Sequence, residues 1–241
     1  MSVLPPAAHR PWPLPPAPWI MFQSWQKLLF IHWPVDPAEL RPLVPARLDI
    51  DTREGTAWIG VTPFLMRDLR PRAMPALPFV SDFLELNVRT YVRYDDKPGI
   101  WFFTLETDSR VAATAARAVY ALPYNVADMT ADERDGWVDY RSTRDAGDVG
   151  VRYRGVGPAA PAAAGTLAHF LTERYALYSE RNGQLFRGEI HHSPWPLQHA
   201  DAEVGLMSLV SGLGLPMPAG KPLLHYSERQ DTFVWAPHRV A

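Results

Sequence analysis

The chain has 241 residues, 47% of them hydrophobic, which is enough to bury a sizeable core in one large domain or two small ones. Its formal net charge of −2 argues against nucleic-acid binding, and the absence of cysteine excludes disulfides, thiolate nucleophiles and cysteine-ligated zinc. No apolar run approaches the roughly 20 residues of a membrane span, so we expect a soluble, cytoplasmic protein with no membrane partner.

Residues 1–20 contain seven prolines, which predict an extended, polyproline-like arm and not a helix or central strand. We expect this arm to be a passive surface tail or disordered, with a role as a proline-rich ligand as the alternative. Residues 21–241 are predicted to form a single domain, because no repeat or convincing break divides them.

The first half of the predicted domain reads as strands around one short helix. Asp36-Pro37-Ala38-Glu39 has the cap, first-turn proline and acidic residue of a helix start, and Pro45 should end that helix after about two turns. A Pro/Arg-rich loop at 67–78 has a length that often carries function. The predicted strands are 27–33, 56–65, 83–94 and 100–106, the last two joined by a turn at 95–99.

The second half predicts two helices and further strands. The alanine-rich segment 111–121 follows the cap Ser109 and is ended by Pro123, and a second helix should follow Thr166 and include Tyr175 and Tyr178. The predicted strands are 136–144, 150–157, 184–193 and 223–236. Many strands with few helices favour an α+β fold, a curved sheet or β-barrel with helices packed outside.

Six segments of the chain resemble the YqjF-like branch of the acetoacetate decarboxylase-like superfamily. They are FIHWPVD at 30–36, LRPLVPARLDID at 40–51, AWIGV at 57–61, ELNVRTYV at 85–92, PWPL at 194–197 and LHYS at 224–227. The resemblance implies an α+β fold whose curved sheet or barrel encloses a small-molecule pocket. It also implies a homo-oligomer, but no particular activity.

The resemblance argues against the chemistry of the true decarboxylases. In those enzymes a lysine forms a Schiff base with a β-keto acid and a second lysine lowers its pKa, whereas the matching positions here are Tyr124 and Asn125. Tyrosine cannot form an imine. The substrate-binding arginine of the family falls near Gln26, and one carboxylate falls in the apolar stretch 58–60. The adjacent Lys27 would face inward only if the register differed by one residue.

The remaining family carboxylate matches Glu85, at the start of a row of polar side chains. Glu85, Asn87, Arg89 and Tyr91 alternate with apolar residues, so they share one strand face, with Glu85 and Arg89 roughly 13 Å apart. A strand whose polar face points to solvent would show the same alternation, but the resemblance favours a face that lines a pocket. Burial would then raise the pKa of Glu85 and make it a general acid or base.

Arg89 is predicted to bind a carboxylate or enolate oxygen, and Tyr124 to donate a hydrogen bond to a carbonyl or oxyanion. The alternative for Tyr124 is a packed aromatic ring with its hydroxyl in water. Gln26, Asn87, Tyr91 and Asn125 complete the predicted substrate-binding set.

Other chemistries have weaker support in the sequence. Glu189, His191, His192 and His199 are potential metal ligands, but adjacent strand residues face opposite ways, so we predict no metal site. No glycine-rich nucleotide motif or Gly-x-Ser-x-Gly elbow is present, so we also predict no cofactor and no serine hydrolase.

We therefore expect the protein to bind a small carbonyl- or carboxylate-bearing metabolite. It would act either as a lyase- or hydrolase-type enzyme without a Schiff-base lysine or as a catalytically silent binding or sensing module.

Overall fold

In the computed structural model, which describes residues 3–77, 80–216 and 220–241, fourteen strands form one sheet. The strands are β1 (Met21–Val35), β2 (Asp49–Ile50), β3 (Ala57–Pro71), β4 (Phe83–Tyr94), β5 (Lys97–Thr107), β6 (Tyr124–Val126), β7 (Asp128–Arg134), β8 (Trp137–Arg144), β9 (Gly147–Ala160), β10 (Ala176–Arg181), β11 (Gln184–His192), β12 (Leu197–Val204), β13 (Leu223–Val234) and β14 (His238–Arg239). The helices of the described chain are α1 (Pro37–Leu40), α2 (Arg110–Tyr120), α3 (Leu167–Thr172) and α4 (Ser208–Gly212).

The strand order is β14-β11-β10-β5-β4-β3-β1-β13-β12-β9-β8-β7, and β11 also pairs with β13. This extra pairing curls the middle of the sheet back on itself. The expected curved sheet with few helices is confirmed, but the fold is mostly sheet and not α+β. Within the described residues, no helix combines the length and the apolar character needed to cross a bilayer.

The helix starts follow the capping signals of the sequence. The N–H of Ala38 donates to the side chain of Asp36 at 2.8 Å, and the N–H of Ala112 donates to Ser109 Oγ at 3.2 Å. At its other end α2 stops at Ala121, whose φ of 53° lies in the left-handed region. These contacts are local in sequence, which is why capping patterns predicted them.

The predicted helix through Tyr175 and Tyr178 is wrong beyond Thr172. Tyr178 lies in β10, and its hydroxyl donates to the carbonyl of Lys97 at 2.8 Å. Pairing of β10 with β5 and β11 overrides the helical spacing of the apolar residues. The predicted loop at 67–78 is also shorter than expected, because β3 continues to Pro71, and Pro78 lies outside the described residues.

The central strand β4 separates a core from a polar face. Its even-numbered residues Leu86 and Val88 are fully buried in the largest apolar cluster, which also contains Tyr140 of β8 and Val151 of β9. The odd-numbered residues of β4 therefore point to the other side of the sheet, as the alternation in the sequence predicted.

The N-terminal arm packs against the sheet, so residues 3–20 follow the expected surface alternative and not the disordered one, and buried polar contacts hold them there. The side chain of Arg10 is 0% exposed and pairs with Glu189 at 3.2 Å. His191 Nε2 lies 3.0 Å from the carbonyl of Pro5, and Trp235 Nε1 donates to the carbonyl of Ala17 at 2.6 Å. The arm has no helix or strand, but buried polar contacts hold it in place.

Candidate functional site

A cavity of about 360 Å³ lies on the polar side of β4, and most of its lining is apolar. Its walls come from β1, β3, β4, β5, β10 and β11, and α2 covers one side with Ala112, Ala115 and Ala116. Four of the predicted site residues line it, namely Glu85, Asn87, Arg89 and Tyr124, whereas Gln26, Tyr91 and Asn125 do not.

Glu85 and Tyr124 form a hydrogen-bonded pair in the cavity wall. The hydroxyl of Tyr124 donates to Glu85 Oε2 at 2.8 Å, and the backbone carbonyl of Glu85 accepts from Tyr140 at 2.8 Å. Burial raises the pKa of Glu85 to about 8, although the hydrogen bond from Tyr124 opposes this shift. At neutral pH the carboxyl is therefore mainly protonated.

The Tyr124 hydroxyl is directed at Glu85, and the alternative of a ring with its hydroxyl in water does not describe this geometry. Burial, reinforced by the nearby Glu85 carboxylate, raises the pKa of Tyr124 well above its usual range. The phenol therefore stays neutral and acts only as a hydrogen-bonding group.

Arg89 lies four residues beyond Glu85 on β4, and its side chain crosses over β3. Gly60 stands opposite Arg89 in the register, and a Cβ at Gly60 would lie 3.3 Å from Arg89 Cγ and 3.1 Å from His32 Cδ2. The missing side chain lets the guanidinium reach Phe30 on β1, with Cζ 5.3 Å from the ring centroid. Arg89 is 7% exposed, and among the described residues it forms no ion pair.

Several polar atoms of the cavity wall, from the middle of β4 to the Arg89 end, are buried without a hydrogen-bond partner in the described part of the chain. These atoms are Arg89 Nε, Asn87 Oδ1, Thr62 Oγ1 and Trp195 Nε1. Burying a polar group without a partner is costly, so such a group in a cavity wall indicates a place where a ligand or water binds.

A bulge in β1 keeps Gln26 out of the cavity. Lys27 has a φ of 51°, and the pairing of β1 with β3 shifts register between Gln26 and Ile31. Odd-numbered Gln23 and Trp25 line the cavity before the bulge, and even-numbered Leu28 lines it afterwards. The resemblance matched Gln26 to the substrate-binding arginine of the family, and this expectation is wrong because the bulge reverses the alternation of side chains along β1.

Tyr91 and Asn125 also lie away from the cavity. The hydroxyl of Tyr91 donates to the carbonyl of Leu171 at 2.9 Å and lies 2.6 Å from His32 Nε2, so it is held in the protein interior. Asn125 follows Tyr124 in β6 and faces the opposite side, where its amide donates to Thr104 Oγ1 at 3.0 Å. Neither residue is placed to touch a ligand in this cavity.

Arg174, which no sequence pattern singled out, and His192, which was considered only as a metal ligand, both line the cavity. Arg174 is paired with Asp51 at 2.5 Å, so its charge is compensated. Burial lowers the pKa of His192 to about 4, which leaves the ring neutral. Arg174 and His192 are distant in sequence from Glu85, so no local motif could have assigned them to the site.

The histidines at 191 and 192 face opposite ways, as strand geometry predicted. His192 lines the cavity, whereas His191 contacts the carbonyl of Pro5. Within the described ranges, no three His, Asp or Glu side chains are grouped closely enough to hold a metal ion.

None of the three lysines of the chain lines the cavity in the described structure. Lys27 points away from it and pairs with Glu133 at 3.0 Å and Glu228 at 2.8 Å. These ion pairs, which outweigh its partial burial, raise the pKa of Lys27, so its amine is protonated and a poor nucleophile.

Comparisons with known proteins agree with this fold. Residues 22–231 match the family model DUF2071, described as an uncharacterized conserved protein. The chain is 42% identical over 225 residues to the uncharacterized protein YqjF of Bacillus subtilis (strain 168), covering 92% of this chain and 93% of YqjF.

Solved structures show similarity of fold at low sequence identity. The enduracididine biosynthesis enzyme MppR, complexed with the condensation product of pyruvate and imidazole 4-carboxaldehyde, aligns with a TM-score of 0.67 at 14% identity over 92% of this chain and 89% of that one. Acetoacetate decarboxylase from Legionella pneumophila aligns with a TM-score of 0.64 at 14% identity over 97% and 93% of the two chains. The protein therefore belongs to the DUF2071 family, as a homologue of YqjF with an acetoacetate decarboxylase-like fold.

Proposed function

We propose that the cavity binds a small molecule carrying a carboxylate and a carbonyl group, and that Glu85 exchanges a proton with it without an imine intermediate. The observation that carries the proposal is the hydrogen-bonded pair of Glu85 and Tyr124 inside a mostly apolar cavity. A buried carboxyl whose pKa is about 8 can take or give a proton near neutral pH.

The charges in the cavity favour an anionic ligand. Arg174 is paired with Asp51, which also pairs with the more exposed Arg93; His192 is neutral, and Glu85 is mainly protonated at neutral pH. Arg89 remains a buried cation without an acidic partner among the described residues. A ligand carboxylate would supply that partner.

Tyr124 is proposed to position Glu85. Its hydroxyl donates a hydrogen bond to Oε2 of Glu85, and no described group hydrogen-bonds to Oε1. Oε1 can therefore contact the ligand. The hydroxyl is already engaged with Glu85, which argues against our expectation that it polarises a substrate carbonyl directly. The pyruvate-derived ligand of the MppR complex is consistent with a carbonyl-bearing ligand class.

Exchange of the hydrogens next to a ketone for deuterium tests the proton-transfer role without knowledge of the physiological reaction. We expect the protein in D₂O to catalyse this exchange in at least one keto acid from a series running from pyruvate to 9-oxodecanoate, followed by proton NMR. Glu85→Gln should reduce the exchange rate roughly 100-fold or more, the usual contribution of a general acid or base.

Glu180→Gln, the same substitution at an exposed glutamate outside the cavity, is the matched control and should exchange at the normal rate. An unaltered rate in Glu85→Gln would contradict the proposal.

The rival function is a catalytically silent binding module on the same fold. No lysine lines the cavity in residues 3–77, 80–216 and 220–241, which favours this rival because the imine chemistry of the true decarboxylases needs such a nucleophile. Saturable binding of a keto acid, with no exchange and no product, would support this rival over the enzyme.

A further inference from the structure

The acid–base pair and the buried cation lie at two separate ends of the cavity. Glu85 and Arg89 are four residues apart on β4, and the pairing of β3 with β4 runs without a register shift from Ile59 to Met66. A regular strand advances about 3.3 Å per residue, so the two Cα atoms are about 13 Å apart.

The two side chains diverge sideways as well. Glu85 points toward β6, where its carboxyl meets Tyr124. Arg89 crosses β3 over Gly60 in the other direction, and its guanidinium lies over Phe30 of β1. With neighbouring strands about 4.8 Å apart, this divergence lengthens the path between the carboxyl and the guanidinium.

The wall between the two ends is mostly apolar, with Asn87 and Thr62 as polar side chains partway along it, so it can hold a hydrocarbon chain that leaves room for a water at these two residues. Phe64, Phe102 and Leu105 line the cavity together with Asn87, which lies between Glu85 and Arg89 on β4. The volume of 360 Å³ is more than twice the roughly 150 Å³ of an engineered cavity that binds benzene. A four-carbon keto acid would leave most of it unfilled.

Given the proposed function, on which this step rests, we infer that the ligand is a medium-length oxo acid. Its carboxylate binds at Arg89, its ketone lies at Glu85 and Tyr124, and several methylenes separate the two groups. In a 2-oxo or 3-oxo acid the ketone and carboxylate are too close together to reach both ends at once.

A series of methyl-ketone acids of increasing length tests this inference on the unmodified protein. We expect affinity, measured by calorimetry, to rise from pyruvate through 4-oxopentanoate to 7-oxooctanoate, by about fourfold for each methylene buried. The exchange rate at the ketone should be highest for the longer acids. Tightest binding and fastest exchange with pyruvate or 3-oxobutanoate would overturn the inference while leaving the proposed function intact.

The contribution of the carboxylate is tested separately with 2-octanone, which lacks it. The protein should bind 7-oxooctanoate at least tenfold more tightly than 2-octanone, and Arg89→Met should abolish that preference. Arg174→Met at the same end is not a suitable control because it would remove the buried partner of Asp51 and leave that carboxylate only the more exposed Arg93 at 3.2 Å, so the exposed Arg134→Met serves instead.

Equal affinities for 2-octanone and 7-oxooctanoate in the unmodified protein would overturn the inference. Failure of every oxo acid to bind, with no effect of Glu85→Gln on any exchange, would instead remove the proposed function itself.

Discussion

Glu85 is the residue whose chemistry depends most on its surroundings. It is 4% exposed, and burial raises its pKa from 4.5 to about 8. Tyr124 opposes that rise by donating a hydrogen bond to the carboxyl, so the pKa of Glu85 stays near physiological pH. The same side chain on an exposed strand would be ionised and an ordinary weak base.

This shift predicts a pH dependence of stability. The folded state holds the Glu85 proton more tightly than the unfolded state, so the free energy of unfolding should fall as pH rises from about 4.5 to about 8 and then level off. Each tenfold difference in proton affinity between the folded and unfolded states changes the free energy of unfolding by about 1.4 kcal/mol. The total decrease over this pH range should therefore be several kcal/mol.

Glu85→Gln keeps a neutral side chain at every pH and should remove this part of the dependence. In urea unfolding, the variant should match the unmodified protein at pH 5 and be the more stable of the two at pH 9. Parallel pH profiles for the two proteins would mean that Glu85 is ionised in the folded state.

At the scale of elements, the N-terminal arm and the bulge in β1 shape the site. The arm lies beside β11, whose residues Ile190 and His192 line the cavity, and Arg10 donates to the carbonyl of Ile190. Glu189, next to Ile190 in β11, accepts from Arg10 and from Trp12 Nε1 at 2.9 Å. The arm therefore fixes one wall of the cavity.

Loss of the Arg10 side chain should destabilise the fold. Breaking a buried ion pair typically costs about 3–5 kcal/mol, but Glu189 would keep Arg187 at 3.5 Å and Lys97 at 3.9 Å, so we expect about 2 kcal/mol for Arg10→Met. Arg134→Met, which removes an exposed arginine, is the matched control, and urea unfolding measures both. Equal effects of the two substitutions would show that the buried contacts of the Arg10 side chain add nothing to stability.

At the scale of the whole molecule, the curled sheet encloses a cavity but leaves every lysine outside it in the described structure. The central strands supply the polar face on one side and the main core on the other, so the cavity and the core share β1, β3 and β4. The fold of the decarboxylases is thus present without the nucleophile on which their imine chemistry depends.

Borohydride trapping tests this separation of fold and chemistry. Reduction in the presence of pyruvate or 3-oxobutanoate should leave the intact mass unchanged, because no lysine among the described lining residues can form an imine with them. Replacing Tyr124 by lysine would restore an amine beside Glu85, and that variant is the positive control for the method. A stable adduct on Lys27 in the unmodified protein would reverse the conclusion.

Short-range patterns in the sequence determined much of the framework. Alternation along 83–94 predicted the two faces of β4, and capping residues predicted the starts of α1 and α2, because these features depend on neighbours a few residues away. The resemblance placed Tyr124 and Glu85 in one site, and their side chains are in contact.

The tertiary structure alone decided the rest of the site. The bulge at Lys27 directs the Gln26 side chain away from the cavity, and Asp51 forms an ion pair with Arg174. Glu189 binds Arg10 and so holds the proline-rich arm against the sheet. Each of these outcomes depends on strand register or on partners brought together from distant parts of the chain. Local propensity and spacing carry no information about such partners, because the free energy of these contacts arises only once the sheet has curled.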